Sequence, residues 1–396
     1  MNLPEPPVAE DPIREEVRAL DRAVDLGRSY RWADRGDTFP WATFRALGRA
    51  RLLGLTLPEA VGGRGLPMRR AARALFELAY RGGTTAAKLA LQPEFSSLLA
   101  RRGSPALVAA YFAPLLAGEM LVGNQITEPS AGSDVGAIGL TARRESDGYL
   151  LDGTKSQAAF AEEAAAAIVY VRVVGPGAPD GISALLVPQE APGIDRAAGS
   201  DYGERWMRRG RVGYRGVRVP LAHRLGAEGG AFADLKEELT HERALLGAVY
   251  LGVAWAGWEE AVRYAGERHT FGRPLADRQA VAFPLVEDLV RLRAAWAQLD
   301  LLLGRLDAGE PAEAEAALSK WYCGEVALRA ADHAMQVHGG AGYSEELPAA
   351  QRYRDLRSAR VAHGTDEVLR HLAARRLWGG RSATTGAAAS APAKKG

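Results

Sequence analysis

The chain has 396 residues, 47% of them hydrophobic and 25% charged, with a formal net charge of +2. That length suffices for two or three packed units, and near-balanced charge with scattered basic residues argues against nucleic acid or an anionic membrane as partner. One cysteine, Cys323, excludes an intrachain disulfide and suits a reducing compartment, and neither a leader segment nor a membrane-length apolar run is present, so a cytoplasmic protein is expected.

The first third reads as helix. Ile13, Val17, Leu20 and Val24 recur at helical spacing, and Trp41, Phe44 and Leu47 start a second amphipathic helix. Leu57-Pro58-Glu59 and Gly62-Gly63-Arg64-Gly65 break the chain. Helices are expected at Pro67–Tyr80, Thr84–Arg102 and Pro105–Ala117, the last opened by Ser104 as cap and Pro105 in the first turn. Cys323, in a later helical pattern, reads as a small core residue.

The middle third changes period. Tyr149-Leu150-Leu151 lies between two Asp-Gly pairs, Asp147-Gly148 and Asp152-Gly153, both read as turns. Ile168–Val174, Ile182–Val187 and Val212–Val219 are further strand-like runs, giving a mainly antiparallel β-domain of barrel or sandwich type. From about Ala231 the helical period returns in segments near Phe232–His269, Arg278–Leu306 and Pro311–His338, long enough for a four-helix bundle. The expected division is a helical domain over 1–120, a β-domain over 121–228, a helical bundle over 229–378 and a disordered Ala/Ser/Thr/Gly-rich tail over 379–396. The seven histidines form no metal-ligand spacing, so no metal is expected.

The most informative stretch is Gln125-Ile126-Thr127-Glu128-Pro129-Ser130-Ala131-Gly132-Ser133-Asp134. Pro129 stops regular structure, Gly132 permits a turn, and three hydroxyls offer donors for a phosphate-bearing ligand. This stretch resembles the Thr-Glu-Pro-x-Ala-Gly-Ser-Asp signature of the acyl-CoA dehydrogenase family of flavoproteins. Other segments agree in order: Leu53–Glu59 with Gly62-Gly63; Leu151-Asp152-Gly153-Thr154-Lys155; Arg268–Leu275 with Gln279; and Gln336-Val337-His338-Gly339-Gly340 with Arg354-Asp355 and Gly364-Thr365. The resemblance implies an α–β–α fold over about 39–377, bound FAD and a homo-oligomer, dimer or tetramer, in which one subunit completes another's cofactor site. Thr127 and the Ile126 backbone would hold the flavin ring and Ser133 a pyrophosphate oxygen. Arg268, Thr270, Phe271, Gln279, Gln336, Gly339 and Gly340 would seat the rest of the dinucleotide, with Thr365 and Glu367 beside it. Arg243 would contact the substrate, an acyl thioester of coenzyme A or of a carrier protein. An electron-transfer flavoprotein or similar acceptor is the implied redox partner.

Two positions depart from the family pattern. Where the family places a threonine that donates to the flavin N5 atom, this chain has Gln157-Ala158-Ala159, and Ala159 has no hydroxyl. Where most members place a glutamate before Gly-Thr, this chain has His363. A subset of the family carries its glutamate before an arginine on an earlier helix, which here is Glu242 before Arg243. Glu242 is therefore the expected base for the substrate α-proton, with His363 an alternative base or a carbonyl-orienting group. Glu242 could instead belong to a surface network with Glu238 and Arg243. The leading reading is an FAD-dependent acyl-thioester dehydrogenase that desaturates the α,β bond. Alternatives on the same fold are a flavin-dependent monooxygenase and a redox-neutral or non-catalytic protein. Tyr80, Leu91, Phe95 and Leu99 are candidates for an acyl pocket.

Overall fold

A computed structural model of the chain describes residues 3–378; the segment 379–396, expected to be disordered, lies outside the described residues. The N-terminal region holds α1 (Pro12–Val24), α2 (Leu26–Ala33), α3 (Trp41–Arg49) and α4 (Met68–Ala90). Four short helices follow, α5 (Gln92–Phe95), α6 (Ser97–Arg102), α7 (Pro105–Leu107) and α8 (Ala113–Leu116). Asp11 caps α1 by accepting from the Ile13 N–H at 3.0 Å. Ile13, Val17 and Leu20 are buried as the spacing predicts, but Val24, the last residue of the helix, is exposed.

The expected break near residue 82 is a kink within one helix. Gly82 and Gly83 leave helical dihedrals, and α4 then resumes to Ala90. Gly83 sits at φ 58°, and a Cβ there would collide with the Tyr30 ring, so glycine is required. The expected helix over Thr84–Arg102 ends early instead. Pro93 lacks the amide hydrogen that would continue the ladder from α4, and the chain restarts as α5 and α6.

The middle region holds β1 (Val122–Gln125), β2 (Thr141–Arg144), β3 (Gly148–Ala158), β4 (Ala166–Val174), β5 (Ser183–Pro188), β6 (Ile194–Ala198), β7 (Gly210–Pro220) and β8 (Arg224–Leu225). Their order is β6-β7-β3-β2-β4-β5-β8, with β1 added to β4. Most pairs are antiparallel, but β1 and β2 both run parallel to β4. Asp147-Gly148 turns the β2–β3 hairpin. Asp152-Gly153 does not turn. It lies inside β3 at a register shift against β7, where Asp152 accepts from the Gly216 N–H at 2.8 Å. Inward residues including Tyr149, Leu151, Val169, Leu185, Val212 and Tyr214 form a core of their own.

The C-terminal region begins with α9 (Ala231–Glu267), followed by a small ribbon of β9 (His269–Thr270) and β10 (Arg273–Pro274). Then come α10 (Gln279–Asp307), α11 (Glu313–His338), α12 (Gly340–Tyr343), α13 (Pro348–Arg357) and α14 (Asp366–Leu377). The three long helices pack on one another, α14 lies against α11, and α4 covers α9 from the N-terminal side. That surrounding explains why α9 is buried on every side from Glu242 to Trp258. Cys323 is buried among these helices.

One carboxylate joins all three regions. Asp355 on α13 accepts from the Tyr30 hydroxyl at 2.9 Å, the Thr84 hydroxyl at 2.7 Å and the Glu204 N–H at 2.6 Å.

Candidate active site

A cavity of about 850 Å³ opens where the β-domain meets the helices, walled on one side by Asn124, Ile126, Thr127, Ser133 and Ala159 and on the other by Glu242, Arg243 and His363. On the β side, the loop after β1 is pinned from beneath. The Thr127 carbonyl accepts from the Ser156 N–H at 2.9 Å, and the Lys155 ammonium donates to the Ile126 carbonyl at 2.9 Å and to Glu128 at 2.8 Å. Glu128 also accepts from the Gly139 and Leu140 N–H groups. Burial pushes the Lys155 pKa down to about 8 against the pull of Glu128. The end of β3 bends sharply, with Gln157 at φ 53° and Phe160 at φ 56°. The Phe160 ring anchors the bend between Phe39 and Trp206, and its N–H donates to the Met207 carbonyl at 2.7 Å. Ala159 is thereby presented to the cavity without a hydroxyl.

On the helical side, Glu242 projects from α9 and is 5% exposed, so the surface network with Glu238 and Arg243 is not what forms. Its Oε2 lies 3.4 Å from Nε2 of His363. His363 stands in a left-handed turn, φ 54°, followed by Gly364 at φ 101°. Two cations hold this turn: Arg243 Nε donates to the His363 carbonyl at 3.0 Å, and Lys320 Nζ donates to the Gly364 carbonyl at 2.8 Å. Thr365 then caps α14. The Phe95 ring lies against the imidazole, with centroids 5.1 Å apart, and His363 Nδ1 is buried without a partner.

Although the two are placed like an ion pair, burial works against the charged form of both Glu242 and His363. Burial, reinforced by the nearby Glu238 carboxylate, pushes the Glu242 pKa well above its ordinary value. Burial, with the Lys88 and Lys320 charges, pushes His363 down to about 3. Nearby, Lys88 reaches the cavity from α4, pairs with Glu204 and faces the Tyr250 ring at 5.6 Å. Glu204 also pairs with Arg209 at 2.5 Å. Burial alone would raise the Glu204 pKa, yet Lys88 and Arg209 hold it down to about 2.

Of the residues singled out from sequence, Ile126, Thr127, Ser133, Glu242, Arg243, His363 and Thr365 line this one cavity. Arg268, Phe271, Gln279, Gln336, Gly339, Gly340 and Glu367 are exposed and Thr270 is half-buried, none of them on the cavity. Phe271 is 97% exposed, with the Arg278 guanidinium over its ring. Of the four acyl-pocket candidates, Phe95 lines the cavity; Leu91 and Leu99 are core, and the Tyr80 hydroxyl donates to Glu259. Sequence reasoning missed Lys88, Glu204 and Lys320. A lysine inside the apolar run Ala86-Ala87-Lys88-Leu89-Ala90 was the available signal, since an unpaired buried charge is rarely tolerated. Among the described residues, no group of three His, Cys, Asp or Glu could hold a metal ion and no helix is long and apolar enough to cross a membrane.

Comparison with known proteins agrees with this layout. Models of the N-terminal, middle and C-terminal domains of acyl-CoA dehydrogenases match residues 9–119, 123–217 and 229–378. The chain is 33% identical to the benzylmalonyl-CoA dehydrogenase of Aromatoleum aromaticum, over 87% of this chain and 91% of that protein. It is 31% identical to the human mitochondrial short-chain specific acyl-CoA dehydrogenase, over 87% and 84% of the two chains. The acyl-CoA dehydrogenase structure from Geobacillus kaustophilus superposes with a TM-score of 0.87 at 25% identity, covering 93% of this chain and 98% of that one. With all three domain models matched in order and relatives aligned over most of their length, the chain belongs to the acyl-CoA dehydrogenase family of flavin-dependent oxidoreductases.

Proposed function

We propose that the protein is an FAD-dependent acyl-thioester dehydrogenase in which Glu242 removes the substrate α-proton. The observation that carries this reading is the meeting of Glu242 and His363 on the cavity wall, 3.4 Å apart. The two positions where the family resemblance would put a base converge on one point, and only one of them is a carboxylate.

The residues present fit the cofactor. The cavity volume falls within the range of about 300–1,000 Å³ usual for ligand sites, Thr127 and Ser133 line it, and Asn124 Oδ1 is a buried oxygen with no protein partner. The Ile126 backbone, Thr127 and Ser133 would hold FAD on this side. Arg268, Thr270, Phe271, Gln279, Gln336, Gly339, Gly340 and Glu367 are available to a neighbouring copy, consistent with a homo-oligomer. FAD supplies the acceptor for the hydride that leaves the substrate β-carbon, and an electron-transfer flavoprotein or similar partner would then take the electrons.

The chain's own groups handle the proton. A carboxylate with a raised pKa is a stronger base toward a weakly acidic α-C–H, and its burial keeps competing water away. Once protonated, Glu242 can donate to the free Nε2 of neutral His363, which fixes the carboxyl orientation. Arg243 and Lys320 position His363 through the backbone of its turn. Phe95, Val122, Leu235 and Leu239 give the cavity apolar surface suited to an acyl chain. The thioester carrier is coenzyme A or a carrier protein, which present the same pantetheine arm. Anaerobic mixing of Glu242→Gln with a series of acyl thioesters tests the reading. Loss of substrate-driven flavin bleaching is expected; bleaching at the wild-type rate would remove Glu242 from the role. Oxygen uptake with a hydroxylated product would favour the monooxygenase instead.

A further inference from the structure

Glu242 stands in the partition between two cavities. The second, about 350 Å³, lies behind it and is lined by Glu94, Ser97, Arg101, Glu237, Glu238 and His241. Glu238 is one helical turn before Glu242 and so shares its face of α9. It accepts from the Ser97 hydroxyl at 2.6 Å and the Tyr170 hydroxyl at 3.4 Å, and pairs with Arg101 at 3.2 Å. Glu94, 6% exposed, accepts from the Thr56 N–H at 3.1 Å through Oε1; its Oε2 is buried with no partner. Glu237 and His241 are exposed at the outer end.

The chamber wall is shared between these polar groups and apolar side chains such as Leu57, Met68, Leu245 and Leu306, and a buried carboxyl oxygen on it without a protein partner calls for water. At about 30 Å³ per molecule the chamber accommodates several. During turnover the larger cavity is filled by acyl chain and cofactor, so that side offers the new proton on Glu242 no path until product leaves. The smaller chamber lies on the other side of Glu242 and is lined at one end by the exposed Glu237 and His241.

We propose that this second chamber is the proton exit of the site, carrying the proton acquired by Glu242 through Glu238, Glu94 and intervening water to bulk solvent at Glu237 and His241. The O–H bond of protonated Glu242 breaks, an O–H bond forms on the next water or carboxylate, and the sequence ends with one proton in bulk and Glu242 restored as carboxylate. No electrons move. Glu94, which burial pushes up to about 7, is an acid that loads and unloads near neutrality, and burial also raises the pKa of Glu238. The proposal rests on Glu242 being the base.

The test uses holoenzyme and a redox-inert thioester that carries α-deuterium and no β-hydrogen, with washout of the label into water followed by mass spectrometry. Wild-type protein is expected to wash out the label. Glu94→Gln and Glu238→Gln should each slow washout by about tenfold or more, and Glu94→Asp should restore most of the rate. Thermal unfolding of each variant establishes that it is folded; if one glutamine variant fails to fold, the other carries the test. Washout at the wild-type rate in a folded glutamine variant overturns the exit. Washout that persists in Glu242→Gln overturns the base assignment instead, so the two failures are separable.

Discussion

Two clusters of buried ionisable side chains look into the same cavity and resolve their burial in opposite ways. Around Glu204, the carboxylate sits between Lys88 and Arg209 and stays charged because each neighbour carries the opposite sign. Around Glu242, the neighbour in the chain's own helix is another carboxylate, Glu238, and the facing imidazole is pressed toward neutrality by burial first and then by Lys88 and Lys320. The first arrangement is compensated and inert, the signature of a structural joint. In the second the fold displaces the pKa values of Glu242 and His363 from their ordinary range, which is how a group is made ready to exchange a proton. Burial alone does not separate the two; the sign of the nearest charge does.

Substitution at each cluster should therefore fail differently. Glu242→Gln removes a carboxyl whose charged form burial disfavours, so the unfolding free energy should change little while flavin reduction by substrate falls by about 10²–10⁴-fold; stopped-flow absorbance and urea titration read the two effects. A large loss of stability would erase the contrast. Glu204→Gln should leave Lys88 buried without its counter-charge, with Arg209 keeping only Asp201, and destabilise by about 3–5 kcal/mol, seen as an earlier urea midpoint. Because the folded-state pKa of Glu204 is depressed to about 2, its contribution is fully present above the ordinary glutamate value of 4.5. That contribution is lost as pH falls from there through 2, so the gap between wild type and variant should narrow over that window.

The exposed motif residues provide a third point of reference. Arg268→Ala should lower FAD retention by roughly 10- to 100-fold, the scale of one hydrogen bond to a charged group, as measured by equilibrium dialysis. The unfolding midpoint of the cofactor-free protein should not move, because Arg268 is exposed in the single chain. The smallest effect is expected for Phe271→Ser, where a ring 97% exposed should contribute no more than about 0.5 kcal/mol to the fold of one chain.

The layout of helix, sheet and helix was legible because the hydrophobic period switches from helical to alternating after Val122 and back again after Ala231. The long C-terminal helices were read to within a residue or two because they carry whole turns of apolar pattern. Strand direction was not legible. Alternation specifies which face of β1 or β2 is inward but not that both run parallel to β4. Asp152-Gly153 looked like a turn because its dipeptide suits one, yet β3 continues through it, and the extra residue of the bulge, Gly216, is on β7. In the site, Glu242 and His363 were visible as rival bases from different motifs. Their contact, and the cations that hold the His363 turn, depend on how α9, α11 and the segment before α14 pack, which no local pattern encodes.

The bend at Gly82-Gly83 reaches further than its own helix. It makes room for Tyr30, whose hydroxyl joins those of Thr84 and the Glu204 amide on a single acceptor, Asp355. A loop of the β-domain and both sets of helices are thus bolted at one point next to the cavity. A relative shift of the three regions would have to break these bonds first, so the walls of the chamber are tied to one another through a single side chain.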